Sequence, residues 1–154
     1  MIHYRDDKLI GKKLNNYFGK DIIDYTEWEC WQTGSLLWAL HSYIEYQSNM
    51  LNKFQVELAV LNEGGQITRS VIKKVYKEIF PRYERLTALI SPNNKQACKF
   101  ARVAGFTLEG RLRKVDKGGD VNIYSILEQE YRYKWAEYSE DHQSHHRHQI
   151  QQKQ

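Results

Sequence analysis

The apolar positions change period several times along the 154 residues. Residues 6–18, DDKLIGKKLNNYF, have a helical spacing that Gly11 and two asparagines weaken. In residues 26–46, TEWECWQTGSLLWALHSYIEY, two aromatic-rich runs flank Gln32-Thr33-Gly34, which predicts two strands joined by a hairpin. FQVELAVLN, residues 54–62, predicts a third strand, ended by Gly64-Gly65.

In QITRSVIKKVYKEIF, residues 66–80, Ile67, Val71, Ile72, Val75, Ile79 and Phe80 fall at helical spacing, and Arg69, Lys73, Lys74 and Lys77 form the opposite face. Pro81 stops that helix, and RLTALIS, 85–91, reads as a short buried strand. Pro92-Asn93-Asn94 opens a further helix with Ala97, Phe100, Ala101 and Ala104 on one face, and Gly105 stands where a left-handed cap is wanted. FTLEGRLRKVD and VNIYSILEQEYRY then read as two strands joined through Lys117-Gly118-Gly119-Asp120.

That order, helix, three strands, helix, strand, helix, two strands, predicts an α/β (α+β) fold with a mixed sheet and helices on its faces. Strands 54–62 and 85–91, joined through a helix, should be parallel neighbours in a right-handed crossover.

Composition narrows the classes. At 41% apolar residues the chain fits one domain, residues 1–138. The polar, histidine-rich segment 139–154 lacks the apolar residues to bury a core and reads as a disordered tail, with no metal assigned to it. Glu140 and Asp141 balance Arg147 and Lys153, so the net charge of +4 belongs to the domain. No apolar run reaches membrane-spanning length and the first residues lack a signal-peptide pattern, so the expected location is cytoplasmic. Cys30 and Cys98 have no spacing that encodes a zinc site or disulfide framework and read as free thiols.

Asn94-x-x-Ala97, Gly105-Phe106, Glu109-Gly110-Arg111-Leu112-Arg113, then Asp120, Tyr124 and Glu130-Tyr131-Arg132 resemble the carboxy-terminal half of GNAT N-acetyltransferases. The likeness is to the ribosomal-protein N-acetyltransferase type and to short GNAT proteins of phages and prophages, and runs from about Phe54 to Trp135. The resemblance implies a mostly antiparallel twisted sheet with a central parallel strand pair. It also implies an acetyl-CoA site in the V between those strands, with backbone of Leu58, Ala59, Val60 and Leu61 beside the pantetheine. The loop Gly64, Gly65, Gln66, Ile67, Thr68 would lie at the pyrophosphate, where helix amino termini favour anions. Asn94, Ala97 and Phe100 would line the same cofactor. The loop opens with Asn62 where the family has Gln or Arg, and closes with Ile67 where the family has a small residue.

Amine acetylation needs a base, donors for the carbonyl oxygen and an acid for the thiolate. Glu57, the one carboxylate in the apolar run VELAV, is the candidate base; its alternative is a solvent-facing strand glutamate. His41 is the reserve. Family members often carry a tyrosine acid where this chain has Ala101, so Tyr124 is the candidate acid, with a packing role as its alternative. Asn94 also reads as the cap of its helix, a role its chemistry favours and one that can hold together with the cofactor contact. Arg111, Arg113 and Lys114 read as steering an acidic group or as protection of a strand edge, the commoner case.

The expected function is therefore acetyl-CoA-dependent transfer to a primary amine whose identity is open. Asp24, Glu27 and Glu29 would suit a cationic acceptor or be solvated. The competing reading is a catalytically silent GNAT-fold protein, for instance a phage structural or host-interaction component. Nucleic-acid binding through Arg69, Lys73, Lys74 and Lys77 with Arg111, Arg113 and Lys114 is less favoured, because the lysines also describe the wet face of an amphipathic helix.

Overall fold

The computed structural model describes residues 1–18, 26–43, 55–116 and 119–136. Asp24, Lys117-Gly118 and the predicted tail 139–154 lie outside the described residues. Seven strands form one sheet in the order β1-β2-β3-β4-β5-β7-β6. They are β1 (Ile2–Arg5), β2 (Thr26–Thr33), β3 (Leu36–Tyr43), β4 (Gln55–Asn62), β5 (Arg85–Ile90), β6 (Thr107–Asp116) and β7 (Gly119–Leu127). β4 and β5 are parallel and every other pairing is antiparallel. The expected mixed sheet with a parallel pair and flanking helices, the GNAT topology, is thus observed.

Local chemistry sets the helix ends. Helix α1 (Lys8–Phe18) is capped by Asp7, whose Oδ1 accepts the N–H groups of Leu9 and Ile10 at 3.0 Å. Helix α2 (Arg69–Ile79) is capped by Thr68, and buries Ile72, Val75, Tyr76 and Ile79, one stripe at helical spacing. Helix α3 (Lys95–Val103) starts at Asn94 and ends on Gly105 at φ +91°, where Phe106 N–H returns to Ala101 O at 2.9 Å.

Two features depart from the sequence reading. The short β1 precedes α1 and pairs with β2, from Ile2↔Gln32 to Arg5↔Glu29. The last predicted strand ends at Leu127, and residues 128–133 are helical instead: α4 (Glu128–Tyr131) runs into a π-helical turn, Arg132–Ala136. The physical reason is an i, i+4 pair. Tyr131 and Trp135 are both buried, and each meets Tyr76 edge-on, at 5.9 and 5.7 Å between ring centres. An i, i+4 ion pair between Glu128 and Arg132 holds the same turn.

The sheet separates two cores. On one face α2 and α3 cover Trp31, Leu36, Trp38, Leu40, Leu58, Leu86, Ala88, Tyr124 and Ile126. On the other, α1 covers Trp28, Cys30, Leu37, Ala39 and Leu61, reaching no strand beyond β4 among the described residues. Full burial of each large apolar side chain contributes about 1.5–3 kcal/mol, so the larger α2/α3 face carries most of the stabilisation.

Candidate active site

The site is built on a fork. β4 and β5 pair only at Gln55↔Arg85, Val56↔Leu86 and Glu57↔Thr87. β4 continues along β3 to Leu36↔Asn62, while β5 continues along β7 to Ile90↔Asn122. Past Glu57 the two strands therefore follow different neighbours and separate. Backbone groups of Leu58–Asn62 that point away from β3 have no ladder partner on β5.

Glu57 and Thr87 are the last pair before the opening. Alternation along β4 puts Glu57 on the face opposite Leu58, and β5 likewise puts Thr87 opposite Leu86 and Ala88. Register extends this position across the sheet: His41↔Glu57, Glu57↔Thr87, Thr87↔Ser125 and Thr107↔Ser125. The reserve base His41 is thus opposite Glu57 on β3. Leu58 and Leu61 are buried on opposite faces, and Val60 packs against the α2/α3 core.

Beyond β4 the loop bends at Gly64, φ +104°, a region that favours glycine. Gly65 lies against β3, where an added Cβ would come within 3.3 Å of Leu36 Cγ. Asn62 Oδ1 accepts the N–H groups of Gly64 and Gly65 at 2.9 and 2.8 Å, and its Nδ2 donates to Gly65 O at 3.1 Å. Two loop amides are therefore taken by the chain's own side chain. Gln66, Ile67 and Thr68 lead into α2, whose first-turn amides point out of the helix end. Lys13 bridges from α1 to Glu63 of this loop at 2.6 Å.

On α3, Asn94 Oδ1 accepts Ala97 N–H at 3.1 Å, the capping geometry. Phe100 is half-buried and meets Trp38 edge-on at 5.9 Å. Ala101 is buried, so its position brings no acid to the fork. Tyr124 lies on the α2/α3 face, opposite Ala88 of β5 and one strand from the fork, at 2% exposure. Its hydroxyl is hydrogen-bonded to Cys98, and that bond first, burial second, raises its pKa. Cys98 in turn donates to Ser91 O at 3.6 Å. Glu57 and Tyr124 thus flank the parallel pair from opposite faces.

Glu29 is not a solvated carboxylate facing an acceptor. It is 5% exposed and is contacted by His3 at 2.9 Å, Arg5 at 3.4 Å and Arg82 at 2.5 Å. Burial alone would raise its pKa, but Arg82 and then His3 outweigh this and hold it below the ordinary value. The cluster ties β1, β2 and the segment after α2 together. Sequence reasoning also missed the role of Glu109. Leu108↔Tyr124 and Gly110↔Ile123 leave Glu109 as the extra residue of a β-bulge on edge strand β6. It accepts Ser125 Oγ at 2.6 Å and pairs through both oxygens with Arg85. These bonds, Arg85 first, hold its carboxyl below the usual range.

Among the described residues, no cluster of three or more His, Cys, Asp or Glu is placed to hold a metal, and no helix is long and apolar enough to cross a membrane. Arg69, Lys74 and Lys77 are exposed, as a wet helix face requires, and Arg69 lies 4.9 Å from the centre of the Trp135 ring. Arg111, Arg113 and Lys114 are exposed on β6, the sheet edge expected for them.

No protein-family model and no curated protein matches the chain. Solved structures do. The chain is similar to the spermidine/spermine N-acetyltransferase SpeG from Vibrio cholerae, with TM-score 0.55, 17% identity, and 80% of this chain and 76% of that one covered. RimL, a ribosomal alpha-N-protein acetyltransferase, aligns with TM-score 0.55 and 15% identity over 81% of this chain and 91% of its own. The ribosomal-protein-S5-alanine acetyltransferase from Vibrio fischeri aligns with TM-score 0.52 and 13% identity over 76% and 69%. At these identities the likeness shows the fold, that of the GNAT acetyltransferases.

Proposed function

We propose that the protein is an acetyl-CoA-dependent N-acetyltransferase acting on a primary amine. The observation that carries this reading is the fork, which opens directly beyond a carboxylate and leads to a glycine loop and a helix amino terminus. Leu58, Ala59, Val60 and Leu61 would hold the donor's pantetheine arm by backbone. Gly64, Gly65, Gln66, Ile67 and Thr68 would hold its pyrophosphate, and Asn94, Ala97 and Phe100 would line the opposite wall. The donor supplies an acetyl thioester, whose C–S bond is replaced by a C–N bond to the amine.

Glu57 takes the proton released by the attacking amine nitrogen. Backbone N–H groups of β4 past Glu57 donate to the acyl oxygen. Tyr124 returns a proton to the departing sulfur, exchanging its bond to Cys98 to do so. The acceptor's chemistry is set beyond the fork: SpeG is a spermidine/spermine N-acetyltransferase and RimL an alpha-N-protein acetyltransferase. A small polyamine and a peptide amino terminus are therefore the first acceptors for a panel in which free thiol release is measured. Release with either class supports the reading, and no release from any amine at saturating donor contradicts it.

A second reading has one specific observation behind it. Asn62 occupies two loop amides that a pyrophosphate would need, as a protein with the fold but no turnover would tolerate. That reading predicts no melting shift with acetyl-CoA.

A further inference from the structure

Asn122 is out of character with its row of β7. Tyr124 and Ile126 follow it on the same face at two-residue intervals, inside the α2/α3 core, yet Asn122 is a carboxamide at 5% exposure. Asparagine is depleted in strands, and an amide taken out of water is costly unless it is hydrogen-bonded. Arg111, its register partner on β6, meets one end: Arg111 Nε donates to Asn122 Oδ1 at 3.0 Å. Arginine can only donate, so the atom facing it is the carbonyl oxygen and the other end of the amide is the NH2 group. That end is hydrogen-bonded to the hydroxyl of Tyr124.

The direction of each proton follows. An amide NH2 can only donate, so the Tyr124 oxygen accepts from it and turns its own proton to its other partner, Cys98 Sγ. The Cys98 thiol proton goes in turn to Ser91 O at 3.6 Å, which leaves the sulfur to accept. The chain Arg111, Asn122, Tyr124, Cys98, Ser91 thus runs from the edge strand to the segment that opens α3. We propose that Asn122 is a positioning residue for Tyr124, its amide locked by Arg111 so that the phenol proton is aimed at α3, the wall along which the donor's sulfur departs. This rests on Tyr124 as the acid of acetyl transfer. In that step the Tyr124 O–H bond breaks and an S–H bond forms on the departing sulfur. The oxygen left negative keeps the Asn122 N–H until water returns its proton. The other charged or titratable groups near the phenol are Cys98 and Arg102, both of α3.

Asn122→Leu removes both ends of the link at similar size, and Asn122→Asp keeps an acceptor for Arg111 while removing the donor. Each should lower kcat with acetyl-CoA about three- to tenfold, with KM for the donor unchanged. Because the effect passes through the hydroxyl, adding Asn122→Leu to Tyr124→Phe should slow turnover no further than Tyr124→Phe alone, whereas a merely structural loss would add. A second readout needs no turnover. The side-chain amide signals of Asn122 in a nitrogen-15 correlation spectrum of the apo-protein are identified by their absence in Asn122→Leu. They should shift in Tyr124→Phe, which keeps the ring and deletes the hydroxyl, and in Arg111→Met. If Asn122→Leu does not fold, Asn122→Asp serves for both the assignment and the kinetic comparison. Additive losses, or amide signals unmoved by Tyr124→Phe, overturn the inference. Shifted signals in a protein that turns over no amine keep the link of Asn122 to Tyr124 and remove the acetyltransferase reading instead.

Discussion

The two faces of the sheet solve different problems with the same strands. Toward α2 and α3, alternate residues of β3, β4, β5 and β7 are Trp38, Leu58, Leu86, Ala88, Tyr124 and Ile126, all buried in one continuous layer. Toward the opposite side, the row one register position away carries Glu57, Thr87 and Ser125. Hydrophobic burial is non-directional and grows with area, so the first face can hold the fold together. Hydrogen bonds are directional and modest in net stability, so the second face is suited to aiming groups at a ligand. The comparison teaches that along β4, β5 and β7 most of the packing side chains and the polar side chains proposed for chemistry lie on different sides of the sheet, with Tyr124, and Asn122 beside it, on the packed side as the exception.

The largest break should come from the packed face. Tyr76 is fully buried, donates to Ala104 O at 2.8 Å and meets Phe80, Tyr131 and Trp135 edge-on. Tyr76→Ala should cost about 3–5 kcal/mol in chemical denaturation, enough to leave little folded protein. An unchanged midpoint would mean that this cluster does not support the fold.

At the fork, where Glu57 and Tyr124 approach from opposite faces, the effect should fall on turnover instead. Glu57→Gln should reduce kcat about a hundredfold or more with the melting temperature nearly unmoved. Tyr124→Phe should reduce it less, because the hydroxyl it removes is already engaged with Cys98. If Tyr124→Phe proved the more damaging in steady-state rates, proton delivery to the departing sulfur would weigh more in the rate than proton removal by Glu57.

Glu29 tests the comparison at a site where a charge serves stability. Its carboxyl is held below its ordinary value, so its contribution is fully present above the unfolded-state pKa of about 4.3 and is lost as pH falls through the lower folded value. Glu29→Gln should therefore lower stability by about 1–3 kcal/mol at neutral pH, and the gap to wild type should close in acid. Parallel stability curves from neutral to strongly acidic pH would contradict this. The smallest expected change is at Asn62: Asn62→Ala frees two loop amides and should tighten acetyl-CoA binding severalfold by calorimetry, about 1 kcal/mol. Weaker binding would instead make Asn62 a support of the loop.

Much of this fold was legible because period and punctuation agree along the chain. The α2 stripe, the Asn94 cap and the Gly105 stop are local features, and each is where the pattern placed it. β1 escaped because IHYR is four residues with too few apolar positions to show a period, and its pairing is with β2, far along the chain. The terminal helix escaped because EQEYRY alternates in sequence, while burial of Tyr131 and Trp135 against Tyr76 decides its form. The sequence pointed to Glu57 by its oddity in an apolar run. Its place at the last parallel pair required the register, as did the links from Thr87 to Ser125. Glu29 was misread for the same reason: its partners His3 and Arg82 are 26 and 53 residues distant.

The central claim is that the opening between β4 and β5 takes acetyl-CoA, and calorimetric titration of the apo-protein with acetyl-CoA tests it most directly. The account predicts saturable binding of one donor per chain, with a melting temperature that rises with donor concentration as mass action requires. No heat of binding and no melting shift at millimolar acetyl-CoA would contradict it.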